Sequence, residues 1–390
     1  MRYLSTYNDN SEYQADKPNF VKTHVSYVKE GKKVHYDKIV QIDWSKRYLT
    51  FEAVSAGTFS CTSACSYSVD DGATWNALAA DTQTPTVNAG NKILFKATNV
   101  PVDSKGIGTF SSTAEFNAMG NPYSMISGDS FTAVTTLASD SLFSMFSGNT
   151  NIISAENLSL PVTTLADYCY SVMFKGCTSL TTAPVLSATT LAKNCYSSMF
   201  SGCTSLTTAP VLSSTTLAEG CYKSMFIGCT ALTTTPELPA STMAKNCYSS
   251  MFSGCTSLTT APVLSSTTLA ENCYQGMFDR CTSLTTAPVL PATTLAKGCY
   301  WGMFEGCTSL TSSPDLLAPT LADWCYYLMF AGCTSLNYIK MTATDISATS
   351  ALASWVNLVP SGGTFVKDAS MTSLPTGTSG IPEGWTVVDA

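Results

Sequence analysis

Only two histidines serve this chain of 390 residues, His24 and His35, and both stand near its start. The many Ser, Thr and Cys residues beyond them therefore lack the base that nucleophilic acyl transfer needs within hydrogen-bond reach. Charge is equally thin, at 12% of residues. Glycoside cleavage needs two carboxylates roughly 5–9.5 Å apart. The acids Asp167, Glu219, Glu237, Glu271, Asp279, Glu305, Asp315 and Asp323 fall in several different sequence contexts. Of these, Glu271 and Asp279 are close enough in the chain to approach one another. No glycine-rich loop suited to cradling phosphate is present. These absences argue against an enzyme, and no cofactor or metal is implied.

Long apolar runs are missing too. No stretch of about 20 apolar residues could span a bilayer. The opening Met-Arg-Tyr-Leu-Ser-Thr-Tyr-Asn-Asp-Asn has none of the apolar core of a secretory signal. The expectation is synthesis in a cytoplasm without ordinary export, and no membrane insertion. Net charge is −7; residues 1–50 carry nine Lys/Arg against six acids, +3, so the remainder carries −10. A basic footprint for nucleic acid is therefore absent from most of the chain.

What the chain does have is a repeat. Met-Phe recurs at Met173, Met199, Met225, Met251, Met277, Met303 and Met329, each 26 residues after the last. One unit reads Thr189-Thr-Leu-Ala-Lys-Asn-Cys-Tyr-Ser-Ser-Met-Phe-Ser-Gly-Cys-Thr-Ser-Leu-Thr-Thr-Ala-Pro210. A fixed period of this size signals a solenoid, in which each unit buries its apolar face only against its neighbours. Within the unit, Leu191, Ala192, Cys195, Tyr196, Met199 and Phe200 lie at i, i+1, i+4, i+5, i+8 and i+9, which predicts one face of a short helix. Gly202 sits where a left-handed cap would follow it. Thr207 to Leu212 is expected to be extended. The prolines at 184, 210, 236, 262, 288 and 314 each remove an N–H, so any parallel ladder there must be short or interrupted. At about 4.8 Å per coil, seven units span roughly 35 Å.

Fourteen of the sixteen cysteines form two columns of this repeat. One column is Cys169, Cys195, Cys221, Cys247, Cys273, Cys299 and Cys325. The other is Cys177, Cys203, Cys229, Cys255, Cys281, Cys307 and Cys333. Seven members cannot all pair within a column, and free Cys behaves as a small buried hydrophobe. Two ladders of reduced, buried thiols are favoured over disulfides. Metal is disfavoured further, because the spacing within a repeat is eight and zinc sites commonly use Cys-x₂₋₄-Cys.

The flanks divide naturally. Residues 1–47 hold a polar, aromatic arm and a β-hairpin, Val21 to Val28 and Val34 to Ile42, around Lys29-Glu-Gly-Lys-Lys33. The hairpin fits an attachment device or an ordinary strand pair equally well. Residues 48–105 read as a small β-sandwich. It contains Ser68-Val-Asp-Asp-Gly-Ala-Thr-Trp75, which resembles the Asp-box hairpin of sialidase-type propellers, a structural turn remote from chemistry. Cys61 and Cys65 in this region are expected to be unpaired thiols in a reducing compartment. In 106–162, Tyr123-Ser-Met-Ile-Ser-Gly128 and Phe143-Ser-Met-Phe-Ser-Gly148 echo the repeat in degenerate form, as an N-terminal cap would. The regular solenoid is 163–336. Residues 337–390 form a C-terminal cap, helical at Ser350 to Val356 and strand-like at Gly362 to Val366 and Trp385 to Val388, with Trp355, Phe365 and Trp385 closing the last coil.

The segment Met-Phe-x-Gly-Cys-Thr-Ser-Leu resembles the BspA-like leucine-rich repeats and covers about half the chain. That resemblance implies an α/β fold class: a leucine-rich-repeat solenoid of seven 26-residue repeats plus degenerate caps, preceded by a small all-β domain. The unit is about three residues longer than the commonest unit of that family and adds Cys-Tyr and Pro columns. The wider layout is similar to proteins of gut Bacteroidales and their crAss-like phages, including virion-associated fibres and appendages. It rests on Ser26-Tyr-Val-Lys-Glu-Gly-Lys-Lys-Val-His-Tyr36, Tyr48-Leu-Thr-Phe-Glu52, the Asp-box, the repeats and Gly377-Thr-Ser-Gly-Ile-Pro-Glu-Gly-Trp-Thr-Val387. It implies a virion structural protein, a head or tail fibre, attached to other virion proteins through the N-terminal arm and forming a homo-oligomer. A BspA-like adhesin on a bacterial cell surface is the alternative.

Variation between copies marks the candidate binding face. The pair before Met changes from Ser171-Val172 through Lys223-Ser224 and Gln275-Gly276 to Trp301-Gly302 and Tyr327-Leu328. The pair before Cys-Tyr changes as well, as in Asp167-Tyr168, Lys193-Asn194 and Asp323-Trp324. Trp301, Trp324, Tyr327, Gln275 and Lys223 are the candidate contacts for a host-surface glycan or protein. Drift of solvent positions together with capping contacts explains the same variation without a ligand.

Overall fold

The computed structural model describes residues 20–29, 32–97, 106–372 and 374–390, the side chains of 20–41 excepted. The expected arm, residues 1–20, lies outside the described residues except for Phe20, which opens a strand. The expected hairpin is present: β1 (Phe20–Lys29) and β2 (Lys32–Gln41) pair antiparallel, with Val25 opposite Tyr36.

The following strands are β3 (Leu49–Ala53), β4 (Phe59–Cys61), β5 (Cys65–Ser68), β6 (Asn76–Leu78), β7 (Lys92–Lys96), β8 (Phe110–Ser112), β9 (Phe116–Gly120) and β10 (Ile152–Leu158). Six of them form one sheet in the order β10-β9-β3-β7-β5-β6, and β4 pairs with β8 in a second. Alternating apolar residues place Phe51, Phe95 and Phe116 of the first sheet against Phe59 and Phe110 of the second. Phe51 lies 4.6–5.8 Å, ring centre to ring centre, from Phe59, Phe95, Phe110, Phe116 and Phe146. Phe146 in turn stacks on Phe174 at 5.2 Å. The core of the β-rich part therefore runs without a break into the repeats.

The repeats stack as coils, as a solenoid requires, but they are not helical. The only α-helix among the described residues is the single turn Ser124–Ser127, so the chain is mainly strand and turn rather than α/β. In place of the helix expected over Leu191 to Phe200 stands a series of linked four-residue turns. Cys195, Ser197, Met199, Ser201 and Cys203 each donate an N–H to the carbonyl three residues back, at 3.0–3.3 Å. The intervening residues Asn194, Tyr196, Ser198, Phe200 and Gly202 donate instead to Glu219, Cys221, Lys223, Met225 and Ile227 of the next coil, at 2.8–3.0 Å. Every fourth residue takes a left-handed φ to close its turn: 51° at Asn194, 55° at Ser198 and 74° at Gly202. Ser350 to Val356, also expected to be helical, forms the same turns.

This geometry points two residues in and two out. The inward pairs build ladders: Tyr170 to Tyr326 stack at 5.6–6.2 Å and Phe146 to Phe330 at 5.2–5.9 Å. Burying each such ring stabilises by roughly 2–3 kcal/mol, and each aromatic pair adds about 0.5–1.5 kcal/mol. On the other side of the coil, pairing shrinks to isolated parallel bridges such as Thr208 to Thr234 and Thr260 to Thr286, beside the proline column. At the C-terminal end β11 (Ser312–Leu316), β12 (Tyr338–Met341), β13 (Thr364–Lys367) and β14 (Thr386–Asp389) form one parallel sheet, with the last two strands where the sequence predicts them. Trp355 is fully buried there, its indole N–H donating to the Gly380 carbonyl at 2.8 Å.

Candidate aromatic binding cleft

Because the turns alternate, most positions flanking Cys-Tyr and Met-Phe face outward, although Ser171, Ser249, Ser253 and Ala331 are buried. Three of the candidate contacts come together there. Trp301 and Trp324 stack at 5.8 Å with an interplanar angle of 30°. Tyr327 packs edge-on against both, at 5.2 Å from Trp301 and 5.1 Å from Trp324. All three stay partly exposed, whereas the Tyr and Phe ladders beneath them are buried. The cluster borders a cleft of about 350 Å³ lined by Glu271, Asn272, Lys297, Trp301 and Trp324.

The backbone explains the shape. Asn272, Gly298 and Trp324 occupy successive coils of one left-handed column, with φ of 55°, 60° and 60°. Gly298 has no Cβ, and one placed there would collide with Asn272 Oδ1. The Asn272 carboxamide is therefore seated over Gly298 at the floor of the cleft. Gln275 belongs to the column of Trp301 and Tyr327 but does not line the cleft, and exposed Lys223 lies two coils before Gln275. Sequence reasoning missed Glu271, Asn272 and Lys297. Their signal was the column Asp167, Lys193, Glu219, Lys245, Glu271, Lys297, Asp323, which alternates in sign throughout.

Other polar groups are otherwise engaged. Glu271 binds Lys245 at 2.9 Å, and that hydrogen bond holds its carboxyl below the usual range. Glu271 is thus committed to an ion pair rather than to Asp279. Asp279 instead accepts a hydrogen bond from Ser253 Oγ at 3.0 Å, while its buried Oδ1 has no hydrogen bond and only the Arg280 guanidinium at 3.8 Å. Burial pushes the Asp279 and Glu305 carboxyls up, and the negative charge of Asp279 adds to the rise at Glu305.

All sixteen cysteines are buried and unpaired. In the second column each Sγ donates to the Phe carbonyl of the preceding coil, as Cys229 does to Phe200 at 3.1 Å. Burial pushes the Cys229 thiol up to about 12. The Asp-box segment is a turn: Asp70 accepts the Thr74 N–H at 2.9 Å and its hydroxyl at 2.6 Å.

Two further surfaces stand out. A cleft of about 410 Å³ lies between Asp43, Trp44 and the end of β10 at Glu156 and Asn157. Val185, Val211, Val263 and Val289 form a column 71–81% exposed, interrupted by Glu237. No described helix is long and apolar enough to cross a membrane. Comparison with family models, curated proteins and solved structures found no match for this chain.

Proposed function

We propose that this chain is a non-enzymatic structural protein of a phage virion, a head or tail fibre or appendage. In this reading the N-terminal arm and hairpin attach it to other virion proteins. The BspA-like leucine-rich-repeat solenoid, in several copies of the chain, carries a host-binding surface outward. The observation that supports binding is the Trp301–Trp324–Tyr327 cluster beside a cleft. Exposed aromatic rings on a rigid stack lose little conformational freedom on contact and supply large apolar area. The virion half of the reading is supported by the resemblance in layout.

Mass spectrometry of purified particles from a phage carrying this gene tests the assignment. Tens of copies per particle are expected, together with adsorption to host cells that falls at least tenfold when Trp301 and Trp324 are both replaced by Ala. Absence from particles, with the protein found on bacterial surfaces, would overturn the virion reading in favour of an adhesin. Release of sugar from host capsule would overturn the non-enzymatic part.

A further inference from the structure

The charge column beside the cleft shows which ligand fits. Lys193 Nζ lies 3.3 Å from Glu219, and Lys245 Nζ lies 2.9 Å from Glu271. Continued alternation would pair Lys297 with Asp323. That pair is not formed: Asp323 turns Oδ1 onto the Thr349 N–H at 2.7 Å instead. Among the described residues Lys297 has no carboxylate within 4.0 Å, the one lysine of its column left so. It is exposed at the rim of the cleft that holds Trp301 and Trp324.

The cleft therefore presents three chemistries in one place. The indole rings offer a flat apolar platform. Glu271, already neutralised by Lys245, and the Asn272 carboxamide seated over Gly298 offer an acceptor and a donor for hydroxyl groups. Lys297 offers a cation with no carboxylate in ion-pair contact, its charge felt by Glu271 only at longer range. Its volume of about 350 Å³ falls in the ~300–1,000 Å³ of small-ligand sites. Five lining residues are far fewer than the roughly 20–30 per side of a stable protein interface. A sugar has the matching parts: an apolar C–H face for an aromatic ring and hydroxyls along its edge. The lysine adds a requirement for negative charge at one end.

We propose that this cleft binds an acidic monosaccharide unit of a surface glycan, a pyranose bearing a carboxylate. One face of the sugar lies on the Trp301–Trp324 platform, its hydroxyls meet Glu271 and Asn272, and its carboxylate meets Lys297. The inference rests on the reading of the aromatic cluster as a binding surface, and it adds the ligand's class.

The test is titration of the full chain with glucuronate and with glucose, followed by tryptophan fluorescence at low salt. Glucuronate is expected to bind at least tenfold more tightly than glucose, and added salt is expected to erode that preference. Lys297→Gln should bring the two sugars within about twofold of each other, while Lys193→Gln, which breaks a paired lysine, should leave the preference intact. Trp301→Ala should remove binding of both, with an unchanged melting temperature showing that the coil stack persists. Equal binding of the two sugars, or a preference untouched by Lys297→Gln, overturns the acidic-sugar assignment and leaves the binding surface standing. Failure of both sugars to bind overturns it too. The binding surface itself falls only if particles carrying Trp301→Ala also adsorb to host cells normally.

Discussion

Cys203 donates its thiol to the main-chain oxygen of Phe174, 29 residues earlier, at 3.1 Å. That oxygen also accepts the Cys177 N–H at 3.1 Å. The same arrangement recurs from Cys177 to Cys333 at 3.0–3.1 Å. The second cysteine column is therefore a set of sulfur clasps, each tying one coil to the coil before it.

Replacing Cys203 by Ala removes one clasp and opens a small void. The Phe174 oxygen keeps its backbone partner, so the loss stays near about 1–2 kcal/mol, the sum of a modest net hydrogen bond and a lost buried group. Urea denaturation followed by tyrosine fluorescence should show it; no shift in midpoint would mean the thiol is a mere spacer. Because burial raises these thiols, to about 12 at Cys229, little reactive thiolate exists at pH 8. A thiol-reactive chromogen should therefore titrate the fourteen cysteines of the two columns only after unfolding.

Arg280 breaks the glycine column. It holds φ 55° where Gly176, Gly202, Gly228, Gly254, Gly306 and Gly332 hold 69–75°. A residue with a Cβ is strained in that region by roughly 1–2 kcal/mol. Its side chain is exposed, lies 3.8 Å from Asp279 and also attracts Glu305, and exposed pairs of this kind contribute little, so little opposes the relief. Arg280→Gly is expected to raise stability by about 1 kcal/mol, and a lowered melting temperature would count against the strain argument.

Much of this was legible in the sequence, and the part that was misread has a physical cause. The inward columns of Cys, Tyr, Met, Phe, Cys and Leu could be read directly from the 26-residue period. The helix could not be excluded from the apolar positions alone. Pairs at i, i+4 and i+8 repeat every four residues, and over two turns a spacing of four is hard to tell from the helical 3.6. The distinguishing signal lay in the outward positions. Gly298, Gly302 and Gly306 place a helix-breaking residue at every fourth position, as do Asn194, Ser198 and Gly202 in weaker form. The binding cleft was half legible: large aromatic substitutions mark its wall, whereas its floor depends on Gly298 making room for Asn272. Which coil's Lys lacks a carboxylate depends on Asp323 bonding to Thr349, a contact that column statistics do not contain.

Asp279 and Glu305 should make the protein steadier on mild acidification. Burial pushes both carboxyls above their ordinary 3.8 and 4.5, and Asp279 adds repulsion at Glu305. A carboxyl raised in the folded state contributes stability that is fully present below its unfolded pKa and lost as pH rises through the folded value. Stability is thus gained from neutrality down to the ordinary carboxylate range. Asp70 acts in the opposite sense: hydrogen bonds from Thr74 and Ser68 hold it at about 2, so its support is present above 3.8 and lost as pH falls toward 2. Asp279→Ser installs the residue found at Ser201 and Ser253 and removes a buried oxygen that has no hydrogen bond and only Arg280 at 3.8 Å. It should stabilise by roughly 1 kcal/mol at pH 7 and flatten the acid-side rise in denaturation midpoint. An unchanged pH profile would show that this pair is too well solvated to matter.

Gly298→Ala separates the fold from the cleft. The added methyl meets the left-handed φ of 60° and collides with Asn272 Oδ1. The backbone term alone costs roughly 1–2 kcal/mol, and expelling the carboxamide adds to it. Asn272→Gly in the Gly298→Ala background relieves the collision but leaves the backbone strain. A double-mutant cycle should therefore give a coupling of about 1 kcal/mol, within the range for residues in contact. Sugar titration supplies the second readout. Displacing Asn272 should weaken binding of acidic and neutral sugars alike, because the amide serves hydroxyls that both carry. Selective loss of the acidic sugar instead would mean that Asn272, rather than Lys297, meets the charge.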